Sequence, residues 1–450
     1  MDIQTRSILS ELLNLASHQK VKLFVVGGTL RDHIMHKNIS DVDLTGTNAA
    51  QLGIHFADSL NFRHISLDKT PGRSTTRIIL PQQKHFDLTD MQGKTINEDL
   101  GKRDFTINSM GQELSEYISN KKTIIDLYNG KKDLNNSIIR ATSKSVFQAD
   151  PLRMVRAFRF AAKMKFSIDE ETLQGISLCR KSISTAAGER VWHELLSFFE
   201  ADNTGDLINL MQNSKLLSCI LPEFLIDWEE ILTSYKRLEN IISNLVLFFP
   251  CHTPTLNSSE RALLKISVLL KEIDKSLSIE NINRKNYGIP NTFKTLKALK
   301  ASNNEISFIC KTIQSSQVFS NSLARDLNNS SLYDLCLIGG DQLVTGLLLK
   351  VCSLPILGSS DFPKHEKLYS CTQLLEFYFG SYLPVLGEKA LLNGNDVIRI
   401  FNISPSPALG NVLQSIQRAQ VLGEIKTSKE AKDLAEKLLK LWKINRNHDN

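Results

Sequence analysis

In the first third of the chain, apolar positions fall in short runs broken by glycine and polar residues. Val21 to Val26, Asp41 to Leu44, Thr75 to Leu80 and His85 to Leu88 have the length and alternation of strands, the last two spaced as a hairpin. The first twenty residues, MDIQTRSILSELLNLASHQK, pattern as a short amphipathic helix with no signal-peptide core. From Asp150 onward strand signals nearly vanish and helical spacing takes over. There Val155, Phe158, Ala162 and Phe166 are expected to form one apolar stripe. Asn328 to Ser331 and Gly358 to Pro363 read as loops, the second a candidate linker, and Ser404 to Pro407 as a turn between helices. No internal repeat is visible. The pattern predicts an α+β head, a mixed sheet with helices, followed by an all-helical remainder.

Chemistry concentrates in three places. Val25-Val26-Gly27-Gly28-Thr29-Leu30-Arg31-Asp32 is followed nine residues later by Asp41-Val42-Asp43. Strand alternation puts Asp41 and Asp43 on one face, where two like charges call for a cation. Mg²⁺ takes oxygen ligands and shares them with phosphates. Gly27 and Gly28 offer backbone N–H groups to a triphosphate, and Arg31 adds a fixed charge. Each half alone could be a turn or a solvated strand edge; together and in this order they read as a two-metal nucleotidyl-transfer site. Asp87, on the hairpin's second strand, is either a third carboxylate or an exposed strand residue.

The second cluster, Asp99 to Met110, carries Arg103, which can reach a phosphate; the plainer alternative is a helix start with Asp104 as cap and Arg103 solvated. The third is Asp150-Pro151-Leu152-Arg153-Met154-Val155-Arg156-Ala157-Phe158-Arg159-Phe160. On a helix, Asp150, Arg153, Arg156 and Arg159 are each turned about 60° from the last and climb one flank. Asp150 and Arg153 side by side present an acceptor and donors to a base edge. Arg156 and Arg159 can hold phosphates or the apolar wall.

These motifs resemble the bacterial class II tRNA nucleotidyltransferase/poly(A) polymerase family. Its GG-x-x-R-D…D-x-D, R-R-D-F-T-I-N and E-D-P-L-R-x-x-R-A-x-R-F patterns read here GGTLRD…DVD, KRDFTINSM and ADPLRMVRAFRF. Asp126 to Leu134 and Gly188 to Leu196 match connecting segments. LLNGNDVIRIFNISPSPALGNVL and AQVLGEIKTSKEA match the tail. The resemblance implies a polymerase-beta-like nucleotidyltransferase head over 1–140, a helical neck over 141–225 for base and RNA binding, a helical body over 226–360 and a tRNA-binding tail over 361–450.

It also implies template-independent addition of C and/or A to the tRNA 3′ end from CTP and ATP. Asp41 and Asp43 are then the catalytic Mg²⁺ ligands; Gly27, Gly28, Arg31, Arg103, Asp150, Arg153, Arg156 and Arg159 bind the nucleotide. A poly(A) polymerase, or an enzyme adding only CC or only A, would share these residues. A small-molecule nucleotidyltransferase would not need the helical body. Two departures stand out. Ala149 replaces the glutamate of the base-selecting motif, and Lys271-Glu272 stands where relatives carry a metal-binding His-Asp pair. A protonated lysine cannot ligate a metal, so hydrolase chemistry is not expected there.

Composition adds little. The formal charge of +6 on 450 residues makes any RNA surface local, in Arg153 to Arg159 and the lysines from Lys426 to Lys443. Seven cysteines without metal-ligand spacing read as buried thiols in a reducing cytoplasm. No run of 18 apolar residues suggests a membrane span, and no partner protein is expected.

Overall fold

In a computed structural model, residues 3–39, 41–121, 123–221, 227–274, 289–322, 327–354, 366–388 and 390–446 are described. The chain divides into two compact units, 1–222 and 223–450.

The first unit is built on a six-stranded mixed sheet. Helix α1 (Ile3–His18) leads into β1 (Leu23–Val26), which runs directly into α2 (Gly27–Ile34). Then come β2 (Asp41–Gly46), α3 (Ala49–Ser59), β3 (Arg63–Asp68), β4 (Thr75–Ile79), β5 (His85–Asp90), α4 (Ile96–Gly101) and β6 (Gly111–Glu113). The strand order is β3-β4-β5-β2-β1-β6, with β2 parallel to β5 and all other neighbours antiparallel. Alternation decides which side chains are buried. Val42, Leu44, Phe86 and Leu88 are at most 1% exposed and pack toward α3, whose Leu52 and Phe56 close that face. Asp41, Asp43, His85 and Asp87 consequently fall on the other face.

The hairpin expected from Thr75 to Leu88 is present as β4 and β5. Strand β3 gave no sequence signal because its residues are mostly exposed, which removes the alternation. The segment Asp126 to Leu134 is a brace. The Asp126 carboxylate accepts from the Gly130 and Lys131 N–H groups, and a Cβ at Gly130 would lie 2.3 Å from the Thr106 carbonyl oxygen.

The same unit continues into α5 (Arg153–Met164), which packs on α6 (Gly188–Phe199). Two expectations need correction here. Asp150 is not on the arginine helix; its backbone is extended and its carboxylate accepts from the Leu152 N–H just before α5. Phe166 is buried but lies beyond the helix, which ends where Lys165 turns left-handed at φ +58°.

Among the described residues the second unit is helical throughout. Its body includes α7 (Trp228–Ser243), α8 (Ser258–Leu270), α9 (Asn303–Ser322), α10 (Asn329–Gly339) and α11 (Leu343–Val351). Its tail has α12 (Gly394–Phe401), α13 (Pro407–Val421) and α14 (Ser428–Arg446) around a core of Val397, Val412, Ile416, Ala431 and Ala435. Leu263, Ile266, Leu269, Leu270 and Ile273 are all buried, as their helical spacing suggests. The supposed loop at Asn328 is a helix cap, its side-chain Oδ1 accepting from the Ser331 N–H. Ser404 to Pro407 does separate two helices, whereas Gly358 to Pro363 lies outside the described residues.

Among the described residues, Asn329–Val351 alone is long and apolar enough to cross a membrane, and 61% of its window is buried. Cys310, Cys336, Cys352 and Cys371 are buried, but Cys219 and Cys251 are exposed, so the expectation of buried thiols holds only in part.

Candidate active site

The β1–α2 junction and the β2–β5 pair build the carboxylate face. Gly27 sits at φ +63°, and a Cβ there would lie 3.1 Å from Arg103 Nη1 and 3.2 Å from Asp43 Oδ2; only glycine suits both demands. The Gly28 N–H donates to Asp43 Oδ2 at 3.1 Å, so in this structure that donor orients a carboxylate. Thr29 straps the strand to the helix. Its hydroxyl accepts from the Asp43 N–H and donates to the Asp41 carbonyl oxygen. Burial pushes the Asp43 carboxyl above its ordinary pKa, Arg103 opposes this, and Asp87 adds to it.

In the parallel register Asp41 faces His85 and Asp43 faces Asp87. His85 Nδ1 lies 2.9 Å from Asp41 Oδ1. Asp87 is forked by Arg77, with Nε at 2.8 Å and Nη2 at 2.7 Å on its two oxygens. Among the described residues no group of three or more His, Cys, Asp or Glu side chains is placed to hold a metal ion. The Asp41/Asp43 pair still suits Mg²⁺, which binds through one or two carboxylates and completes its shell with water and phosphate oxygens. The half-buried Asp43 carboxylate, whose charge desolvation makes costly without a nearby cation, fits that role.

A second layer lies beside it. Arg31 is forked by Asp32, both contacts at 2.9 Å, and donates through Nη1 to Asn108 Oδ1. Arg103 is held by Asp99 from α4 at 3.1 and 3.2 Å. Arg103 is not solvated as the plainer alternative required, nor is Asp104 a simple cap. Asp104 is buried and takes the Arg156 fork at 2.6 and 3.0 Å and the Asn108 side-chain N–H at 3.1 Å. Burial would raise its pKa; Arg156, with Asn108 and Arg153, overrides that and holds it at about 2.

Glu194, from α6, binds Arg159 directly and sits 3.5 Å from Arg156. The Arg31, Arg156 and Arg159 guanidiniums surround the Phe160 ring at 5.6, 5.2 and 4.2 Å from its centroid. Arg156 and Arg159 are therefore held within the protein as it stands.

Arg153 differs. Its Nη2 donates to the Lys102 carbonyl oxygen, and burial lowers its pKa against the pull of Asp104 and Asp150. Asp150 accepts from Arg190 at 3.0 Å, and both side chains are partly exposed. An acceptor and a donor thus stand together at the solvent edge, with Ala149 exposed next to them. Glu194, Arg190, Phe160 and His85 escaped the sequence reading as site residues, and Asp104 was weighed only as a cap. Glu194, Arg190, Asp104 and Phe160 lay in the family-like segments, but the partners that give Glu194, Arg190 and Asp104 meaning come from distant parts of the chain.

In the second unit, Lys271 follows α8 and contacts Glu272 at 3.3 Å and the Ser353 hydroxyl. They line a cavity of about 250 Å³ with Glu230, Ser234 and Lys350. The lysine thus pairs within the protein.

Three family models match in order: the poly A polymerase head domain over residues 23–140, the probable RNA and SrmB-binding site of polymerase A over 165–226, and the putative tRNA nucleotidyltransferase domain 2 over 288–434. The CC-adding tRNA nucleotidyltransferase of Geobacter sulfurreducens is 26% identical over 430 residues, covering 94% of this chain and 93% of that protein. The CCA-adding enzyme of Staphylococcus aureus (strain Newman) is 23% identical over 441 residues, 94% of each. The solved Thermotoga maritima CCA-adding enzyme, complexed with tRNA CCA, shares the fold with a TM-score of 0.72 at 21% identity, over 98% of this chain and 96% of that one. With its motifs, its mixed-sheet head and near-full-length relatives of one kind, the chain belongs to the tRNA nucleotidyltransferase/poly(A) polymerase family and is a nucleotidyltransferase.

Proposed function

We propose that this enzyme adds C and/or A to the 3′ end of tRNA without a nucleic-acid template, from CTP and ATP and with Mg²⁺. The observation that carries the reading is the placement of Asp41 and Asp43 on one open sheet face with Asp43 oriented by the Gly28 N–H. When bound, Mg²⁺ would be held by Asp41 and Asp43, and it lowers the pKa of a bound hydroxyl and neutralises phosphate charge.

The chain's own residues do the rest. The Gly28 N–H orients the Asp43 carboxylate, and Thr29 fixes the backbone that carries Asp41 and Asp43, before any ligand arrives. Arg103, anchored by Asp99 beside Gly27, supplies positive charge where a triphosphate approaches. Arg31, shared between Asp32 and Asn108, contributes less free charge than its sequence position suggests. Asp150 and Arg153 offer an acceptor and donors to a base edge, while Arg156 and Arg159 hold the wall behind it. The head, neck, body and tail divided near 140, 225 and 360 are our working division. The seven free thiols suit a reducing cytoplasmic setting.

A CC-adding enzyme is a second reading. Ala149 stands where the base-selecting glutamate would be, and the Geobacter relative is described as CC-adding. Incubation with tRNA ending at the discriminator base, at C or at CC, with each NTP separately, followed by 3′-end sequencing, distinguishes the two. Incorporation of A after CC supports full CCA addition; a stop at CC supports the second reading; long A tracts would indicate a poly(A) polymerase. No incorporation onto any of the three tRNAs would reject all of these.

A further inference from the structure

In the parallel register Asp87 sits directly across from Asp43, on the same sheet face, so the backbone alone would allow three carboxylates to share a cation. The side chains are arranged otherwise. Arg77 is the antiparallel partner of Asp87 on the next strand and faces it across one register step. Its guanidinium grips both Asp87 oxygens, at 2.8 and 2.7 Å. By contrast, the contacts on Asp41 and Asp43 fall on one oxygen each, from His85 Nδ1 and from the Gly28 N–H. No three-carboxylate metal cluster results among the described residues.

We propose that Arg77 is a positioning residue that withholds Asp87 from the metal, leaving Asp41 and Asp43 as the protein's two metal ligands. This rests on the metal-dependent reading of the site. A fork of two parallel N–H···O bonds fixes a carboxylate in plane as well as neutralising it, which a lysine in the same place would not do. The guanidinium stays charged throughout the working pH range, so the clamp does not release by titration. Asp87 thereby shapes the field at the site without ligating.

The test is Mn²⁺ binding to the full-length protein without nucleotide, read by the loss of the free-ion EPR signal. Asp41→Asn should weaken binding by about tenfold or more, and Asp87→Asn by less than about threefold. Arg77→Met should tighten binding by about threefold or more, because the freed Asp87 carboxylate joins the site. The gain should vanish in the Arg77→Met/Asp87→Asn double variant. A gain that persists in the double variant is simple charge removal and overturns the assignment. So does an Asp87→Asn loss equal to that of Asp41→Asn, or no gain in a folded Arg77→Met. An unchanged affinity in Asp41→Asn would defeat the underlying metal-site reading as well. Circular dichroism confirms folding; if Arg77→Met does not fold, the Asp87→Asn titration decides alone.

Discussion

On the sheet, Asp41, Asp43 and Asp87 crowd three carboxylates onto two adjacent strands. On α5, Arg153, Arg156 and Arg159 crowd three guanidiniums along a single helix. The protein resolves the second crowd internally: Asp104 takes Arg156, Glu194 takes Arg159, and the Phe160 ring fills the space among the cations. It resolves the first only in part. Arg77 binds Asp87 directly, whereas Asp41 and Asp43 have one close contact each, from His85 and the Gly28 N–H, with Arg77 and Arg103 acting on them at longer range. Charge that is left unbalanced is charge available to a ligand. By that criterion we place the proposed chemistry at the sheet face, and expect Arg156 and Arg159 to act as scaffold and Arg153 to meet the ligand.

The largest expected effect breaks this contrast at the sheet. Asp41→Ala or Asp43→Ala should lower nucleotide incorporation by well over about 10²-fold, because the metal ligands carry the reaction. Neither should unfold the protein. Removing Asp43 relieves a half-buried carboxylate whose charge desolvation already disfavours, so the melting temperature should stay level or rise. Single-turnover incorporation and thermal unfolding check the two halves; activity within tenfold of wild type in both variants would sink the assignment.

The opposite profile is expected in the scaffold. Glu194→Ala leaves the Arg159 guanidinium without its carboxylate, while Arg156 keeps Asp104, and should cost about 2 kcal/mol of stability, read by denaturant unfolding. Asp104 makes a similar case through pH. Its folded pKa, about 2, lies below the unfolded value, so its contribution is fully present above pH 4 and is lost as pH falls toward 2. That contribution is about 2 kcal/mol, and Asp104→Asn should flatten this part of the stability curve. An unchanged acid limb would mean the Arg156 pair is not formed in solution.

This comparison also explains what could be read in the sequence. Asp41-Val42-Asp43 was legible because strand alternation is local: one intervening apolar residue fixes which side two carboxylates take. Asp104 and Glu194 were not, since each becomes meaningful only through an arginine 52 or 35 residues away. Arg156 and Arg159 accordingly looked free when they are not. Asn328 misled in another way. An asparagine in a polar stretch reads as a loop, yet its side chain starts a helix.

Arg153 sharpens the contrast from within the helix: among the described residues its side-chain hydrogen bond goes to the Lys102 backbone carbonyl, at the solvent edge. Arg153→Ala should reduce discrimination among NTPs by about 1–2 kcal/mol, roughly the scale of a bidentate base contact, with triphosphate binding less affected. Competition between paired NTPs on one tRNA acceptor measures this. Uniformly weaker binding of all NTPs with selectivity intact would make Arg153 a phosphate ligand or another scaffold residue.

The smallest effect is expected in the second unit, where Lys271 and Glu272 repeat the internal resolution on a smaller scale. The ammonium is held between the Glu272 carboxylate and the Ser353 hydroxyl, at the edge of a cavity that is polar but internally balanced. A cation placed where a metal would bind repels one, and a lysine becomes a ligand only after losing its proton. The full-length protein should therefore show no metal-dependent hydrolysis of 2′,3′-cyclic nucleotides or phosphomonoesters above a no-enzyme control. Glu272→Ala should leave nucleotide incorporation by the folded protein within about twofold, since the pair lies in the helical second unit and the candidate active site in the first; its cost falls on stability, because Glu272 is buried. Divalent-metal-dependent hydrolysis by the wild type, abolished in Glu272→Ala, would show that charge balanced inside this protein can still be catalytic, and the criterion drawn from the sheet and α5 would fail.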